Sequence, residues 1–253
     1  MKKWLGILLL IIIWQFTAIL ADNNIFPSFT QVLAALVWNI KTILIHGFYS
    51  CLRLIAGVVS AVLIGMPVGI LIGYHKRLSE YISPIIYLLA PIPKIALLPL
   101  IMLLFGIGDL SKIFIIFIIM LFQVIVAAHD AVKNIPQEYF IPLRTIRAGH
   151  NSIIRHIIIP AVLPEMFTSV RIGLATGISV LFFAETFGTR WGLGFYIMDM
   201  WMRLNYQQMY AGIVVLGILG LVSVAIVNRL QKRICPWMPS QENDKSKMLK
   251  AIH

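Results

Sequence analysis

Residues 131–164 read AVKNIPQEYFIPLRTIRAGHNSIIRHIIIPAVLP. The stretch is a basic, polar loop of about thirty residues between two long apolar runs, long enough that a compact chain keeps it for docking or activity. It holds four Lys or Arg (Lys133, Arg144, Arg147, Arg155), two His, one Glu and four Pro. Its charge equally suits a loop that only satisfies the excess of Lys and Arg on the cytoplasmic side of a membrane. What flanks it separates the two readings.

The apolar runs are those of an integral membrane protein. The 253 residues are 60% hydrophobic and 12% charged, where soluble domains carry about a quarter charged residues. About twenty apolar residues cross a hydrocarbon core of about 30 Å. Such runs fall at 1–21, 50–74, 80–104, 111–130, 165–187 and 209–228. The expected fold is therefore all-α with about six transmembrane helices in a single domain, 1–253. Within it lie a first span or signal anchor (1–21), a five-span core (50–230) and a polar tail (231–253). Residues 1–21 also fit a cleaved signal peptide, but the apolar run is long for one and an uncleaved span is the reading adopted.

Counting basic residues orients the chain. With the N-terminus inside, fourteen face the cytoplasm: Lys2, Lys3, Lys76, Arg77, the four of the 131–164 loop, Arg229 and five of the tail. Lys41, Lys112, Arg190 and Arg203 fall outside. Fourteen against four puts both termini and the loop inside. The net charge of +11 thus follows membrane topology, and no nucleic-acid partner is expected. Neither Walker A, H-E-x-x-H nor G-x-S-x-G occurs. Cys51 and Cys235 are expected on opposite faces and the six His are scattered. Neither a metal site, a cofactor nor bond chemistry is expected.

Several local patterns are specific. Ser28 and Gln31 have capping-box spacing, with apolar residues at helical spacing to Leu44, which predicts an interfacial amphipathic helix within 22–47. Gly57, Ala61, Gly65, Gly69 and Gly73 recur every fourth residue and form a small-residue strip for close helix packing. The span 80–104 carries Pro84, Pro91, Pro93 and Pro99 plus Lys94, which predicts a bent helix beside a polar path. Gly106 to Asp109 predicts a tight outer turn. Glu185 is an ionisable residue near a span end, either a transport-path group or a buried ion pair or cap. Met198, Asp199 and Trp201 suit an outer mouth or a surface helix, and Arg171 suits packing or snorkelling.

The spacing of these residues resembles the permease subunit of bacterial ABC importers, in the branch serving taurine, aliphatic sulfonates and nitrate. Ser50-Cys51-Leu52-Arg53 with Gly57 matches that family's S-x-x-R-x-x-x-G, and Pro93 to Ile107 its P-x-x-A-x-x-P segment ending in F-G-I. Arg171, Ala184-Glu185 and Gly192-Leu193-Gly194 match further positions. The resemblance implies a type I importer-like transmembrane domain in the bacterial inner membrane. It implies a homodimer served by a cytoplasmic ATPase dimer and an extracytoplasmic solute-binding protein. Its ATPase-coupling element, the EAA loop, maps onto 131–164, with the E-A-A positions at Ile141, Pro142 and Leu143 and the glycine position at Arg147. Arg144, Thr145, Ala148, Pro160 and Pro164 are typical, and Gly149 comes two residues late. The Glu-Ala-Ala and its glycine are thus missing. Arg144, Arg147, His150 and Arg155 offer donors to a partner's carbonyls and carboxylates. Lys94, Glu185, Met198 and Asp199 are the expected path or gate residues. Arg190, Arg203 and Lys112 suit an anionic solute or an acidic binding protein. A pyrimidine vitamin precursor as cargo, an ion-coupled secondary transporter and a non-transporting scaffold subunit are the alternatives. A stoichiometric ATPase partner separates the importer from the latter two.

Overall fold

The computed structural model describes residues 2–21, 25–146 and 148–238. Helices make up the described structure, and no strand occurs among these residues. They are α1 (Lys2–Ala21), α2 (Phe29–Trp38), α3 (Ile40–Tyr74), α4 (Lys76–Leu89), α5 (Leu98–Phe105) and α6 (Asp109–Lys133). Then come α7 (Ile141–Thr145), α8 (His150–Ile153), α9 (Ile159–Thr186), α10 (Leu193–Met202) and α11 (Tyr206–Ile234). A 3₁₀ turn, Lys94–Leu97, precedes α5, another, Gln137–Phe140, precedes α7, and a π-turn, Ile154–Ile158, joins α8 to α9.

Four helical runs are long and apolar enough to cross a membrane: Ile40–Tyr74, Asp109–Lys133, His150–Thr186 and Tyr206–Ile234. The pair Lys76–Leu89 and Lys94–Phe105 makes a fifth if taken as one broken span. The expected first span is α1, whose apolar part runs Leu8–Ala21. Its Trp14 Nε1 donates to the Pro27 carbonyl at 3.1 Å.

Three boundaries differ from the sequence reading, each for a local reason. The interfacial helix is shorter: α2 starts at the capping box, where Gln31 Oε1 accepts from Ser28 N–H at 2.9 Å. It stops at Asn39, whose Nδ2 donates back to the Ala35 carbonyl at 3.1 Å. The Asn39 carbonyl then accepts from Ile43 N–H at 3.0 Å, so Ile40 to Gly47 belong to α3 instead. The proline-rich span is two helices, broken at Pro91–Pro93, where two ladder donors are lost. Pro99 sits in the first turn of α5, where its missing N–H costs nothing. The third difference lies in the polar stretch 131–164. Its second half is helix, continuous from His150 to Thr186. Pro160 and Pro164 lie within that run, and the π-turn contains His156, whose carbonyl loses its ordinary donor because residue 160 is proline.

The chain forms two compact units from interleaved segments. One comprises Met1–Gly57, Lys94–Ile116 and Thr176–Leu221; the other Val58–Pro93, Phe117–Ala175 and Val222–His253. The core of the first is Val32, Ile43, Leu193, Tyr196 and Ala211, with Trp14 and Tyr210 packed on it. Burial and the nearby Asp199 push the Tyr196 phenol up to about 12, so it stays a neutral donor at physiological pH. In the second, α6 and α9 pack with the 3₁₀ turn through Val124, Ala128, Ile135, Phe140, Ile158, Val162 and Met166. The glycines of α3 meet α6 at backbone distance. A Cβ on Gly65 would stand 2.6 Å from Val124 Cγ1, and one on Gly69 2.6 Å from the Ile125 carbonyl oxygen.

Candidate functional site: a charge cluster and a helix–turn–helix

In the first unit, two distant stretches of sequence, Ser50 with Arg53 and the start of α10, converge on one carboxylate. Glu185, in the last turn of α9, is fully buried. Its Oε1 accepts from Arg53 Nη1 at 2.6 Å. Ser50 Oγ donates to the same carboxylate, 2.8 Å from Oε2, and Gly194 N–H donates to Oε2 at 2.9 Å. Ser50 Oγ in turn accepts from Leu193 N–H at 2.8 Å. The first backbone donors of α10, which no helix can satisfy internally, are thus capped by side chains of α3 and α9.

Arg53 is shared. Its Nε and Nη2 reach Asp109 Oδ1 at 2.9 and 2.6 Å, and Nη1 also donates to the Trp191 carbonyl at 2.7 Å. Only Gly fits at 192. Its φ is +142°, and a Cβ there would lie 2.5 Å from the Glu185 carboxyl carbon. Gly192 N–H donates to His46 Nδ1 at 3.0 Å. The Ser50/Arg53, Glu185 and Gly192/Gly194 positions, separate motifs in sequence, are one structure.

Lys112 differs from its expected role as an outward-facing cation. It is fully buried, and its Nζ donates to the Ile107 and Gly108 carbonyls at 2.7 and 3.1 Å. The lysine sits one turn along α6 and folds back to cap the Gly106–Asp109 turn, which spends two of its three donors and keeps its ammonium off the outer surface. Asp199 pairs with Arg203 at 3.0 Å across one turn of α10. Met198 is half-buried on the same helix, and Lys94 is half-buried at the 3₁₀ turn before α5.

In the second unit, the 137–153 segment is a helix–turn–helix with two unlike faces. Ile135, Phe140 and Ile158 are buried. Tyr139, Ile141 and Ile146 are 65, 58 and 71% exposed, and Pro142, Thr145, Gly149, His150 and Arg155 are exposed with them. Thr145 Oγ1 donates to the Ile141 carbonyl at 2.9 Å, and Ala148 N–H closes the first helix on the Leu143 carbonyl at 2.9 Å. Gly149 is the N-cap of α8 with φ −68°, an ordinary conformation that any residue adopts. Leu143 is half-buried, Arg144 belongs to α7, and Arg147 lies outside the described residues.

One buried group was not singled out in the sequence. His129 receives α4 on one side, with Ser79 and Ser83 Oγ at 3.0 and 2.8 Å from Nε2, and Asp130 Oδ1 2.9 Å from Nδ1. Tyr87 donates to Asp130. The signal available was Ser79, Ser83 and Tyr87 at intervals of four along one face of α4. Among the described residues no group of three His, Cys, Asp or Glu could hold a metal. Arg171 donates to Gln231 on α11.

Residues 65–238 match the family model described as the binding-protein-dependent transport system inner membrane component. The taurine transport system permease protein TauC of Escherichia coli K12 is 34% identical over 192 residues, 76% of this chain and 70% of its own. The nitrate import permease protein NrtB of Synechocystis sp. PCC 6803 is 27% identical, over 91% of this chain and 88% of its own. Among solved structures, an inward-facing MetNI methionine ABC transporter chain superposes with TM-score 0.65 at 19% identity. It covers 79% of this chain and 98% of that one, a likeness of fold. The chain belongs to the family of binding-protein-dependent transport system inner membrane components.

Proposed function

We propose that this chain is the permease subunit of an ATP-driven importer for a small solute such as taurine, another sulfonate or nitrate. Two copies form the path, an extracytoplasmic binding protein delivers solute, and two cytoplasmic ATPases dock on the 137–153 segments. Both termini lie inside, and ATP hydrolysis belongs to the partner. The observation that carries the coupling role is the two-faced helix–turn–helix: one face is locked into the α6–α9 core, while Tyr139, Ile141, Ile146 and Arg155 stand exposed. A partner that pushes on such an element moves two spans, because α6 and α9 are its direct continuations. ATP-driven closure then biases a two-state path between inward and outward access.

Within that reading, Glu185 with Arg53 fixes the position of α10, while Lys94, Met198 and Asp199 line the path or its gate. The relative named for taurine supports an oxyanion cargo. Uptake in proteoliposomes holding the permease, its ATPase and its binding protein tests the proposal. Accumulation should require ATP inside and stop without the ATPase, whereas uptake surviving removal of both would overturn it. Arg147→Glu should weaken ATPase binding while membrane insertion is unchanged; wild-type ATPase affinity in that variant would remove Arg147 from the docking face.

A further inference from the structure

A cavity of ≈ 830 Å³ lies between α1, the start of α2 and the α10–α11 turn, within the range of small-ligand sites. Its polar wall presents donors, beside Gln15, whose Oε1 is buried without a hydrogen-bond partner. Gln31 Oε1 is consumed by Ser28 N–H and Asn205 Oδ1 by Gln208 N–H, so each amide offers its NH₂ instead. Arg203 spends only Nε on Asp199, leaving its Nη groups for the cavity, and its side chain is 69% exposed. No carboxylate lines the cavity among the described residues. The N-termini of α2 and α11 open on it as well and add partial positive charge.

Part of the wall is apolar and uncovered. Ile19 and Leu204 line it and are 63 and 69% exposed. Leu204 also has φ +57°, strained for a leucine, and burial of its side chain does not offset that strain. A donor-lined cavity calls for a phosphate or sulfonate oxyanion. The exposed apolar rim beside it selects one that carries acyl chains.

We propose that this cavity holds the phosphate of a membrane phospholipid headgroup, with the first acyl carbons against Ile19 and Leu204. The site is separate from the coupling segment and from the Glu185 cluster, and it stands whatever the cargo is.

The test uses the full chain in a neutral detergent, titrated by calorimetry with dihexanoyl-phosphatidylglycerol, with inorganic phosphate and with taurine. The short-chain lipid should bind, and phosphate and taurine at least about tenfold more weakly, since neither covers the apolar rim. Gln31→Glu and Asn205→Asp keep the acceptors that start α2 and α11 while replacing each donor by a negative oxygen. Both should weaken lipid binding by about tenfold or more with unchanged thermal unfolding, and Arg203→Ala should do the same. Phosphate or taurine binding as tightly as the lipid would make this a soluble-oxyanion site and overturn the lipid assignment. Wild-type lipid affinity in all three variants would overturn the site itself.

Discussion

Glu185 and Arg53 form a buried pair, and such pairs matter chiefly through what their loss leaves behind. Glu185→Ala leaves the buried Arg53 guanidinium with only the half-exposed Asp109 as counter-ion and frees the Gly194 N–H, so it should cost about 3 kcal/mol, read as a lowered unfolding midpoint in detergent. Asp109, on the other side of Arg53, has a side chain that is 59% exposed, so Asp109→Asn should cost under about 1 kcal/mol. Equal losses in the two variants would contradict this ranking. Cys235 offers a chemical check of burial. It is 2% exposed, and burial pushes its thiol up from the usual range, which leaves less thiolate near neutrality. Maleimide should label it slowly in the folded chain and readily after unfolding in SDS, with the site located by peptide mass spectrometry. Equal rates before and after would mean that the helix end at Ile234 is open.

At the scale of elements, α3 depends on backbone contact. Gly69→Leu would drive a side chain into the Ile125 carbonyl and Ala128 and should destabilise by about 1–3 kcal/mol. Gly47→Ala, at a position with open space around it, is the silent control on the same helix. Matching melts for the two would deny the close approach. Hydropathy made the all-helical membrane fold legible, and the capping box was legible because Ser28 and Gln31 are only three residues apart. Helix ends set by a single side chain, such as Asn39, escaped because no window average sees them. Lys112 was misread for a related reason: charge counting assigns a lysine to a membrane face but not to the carbonyls of its own turn. Glu185 was legible as a special residue, yet its partners Ser50 and Arg53 lie more than 130 residues away, and only family spacing marked them. His129 carried no family mark, and its serine partners lie on a different helix about 50 residues away.

For the molecule as a whole, assembly with its partners is the decisive measurement. Co-purified complexes sized by mass photometry should contain two copies of this chain and two ATPases; a stable one-to-one complex active in uptake would contradict the homodimer. The Arg53 pair also sets a timetable for biosynthesis. Arg53 leaves the ribosome 56 residues ahead of Asp109 and 132 ahead of Glu185. At about 5–20 residues per second, its last counter-ion is made roughly 7–26 s later. Until Asp109 follows, α3 carries an uncompensated cation near one end of its span. The network is therefore completed in two steps, Arg53 half-neutralised by Asp109 and fully paired only when the end of α9 arrives.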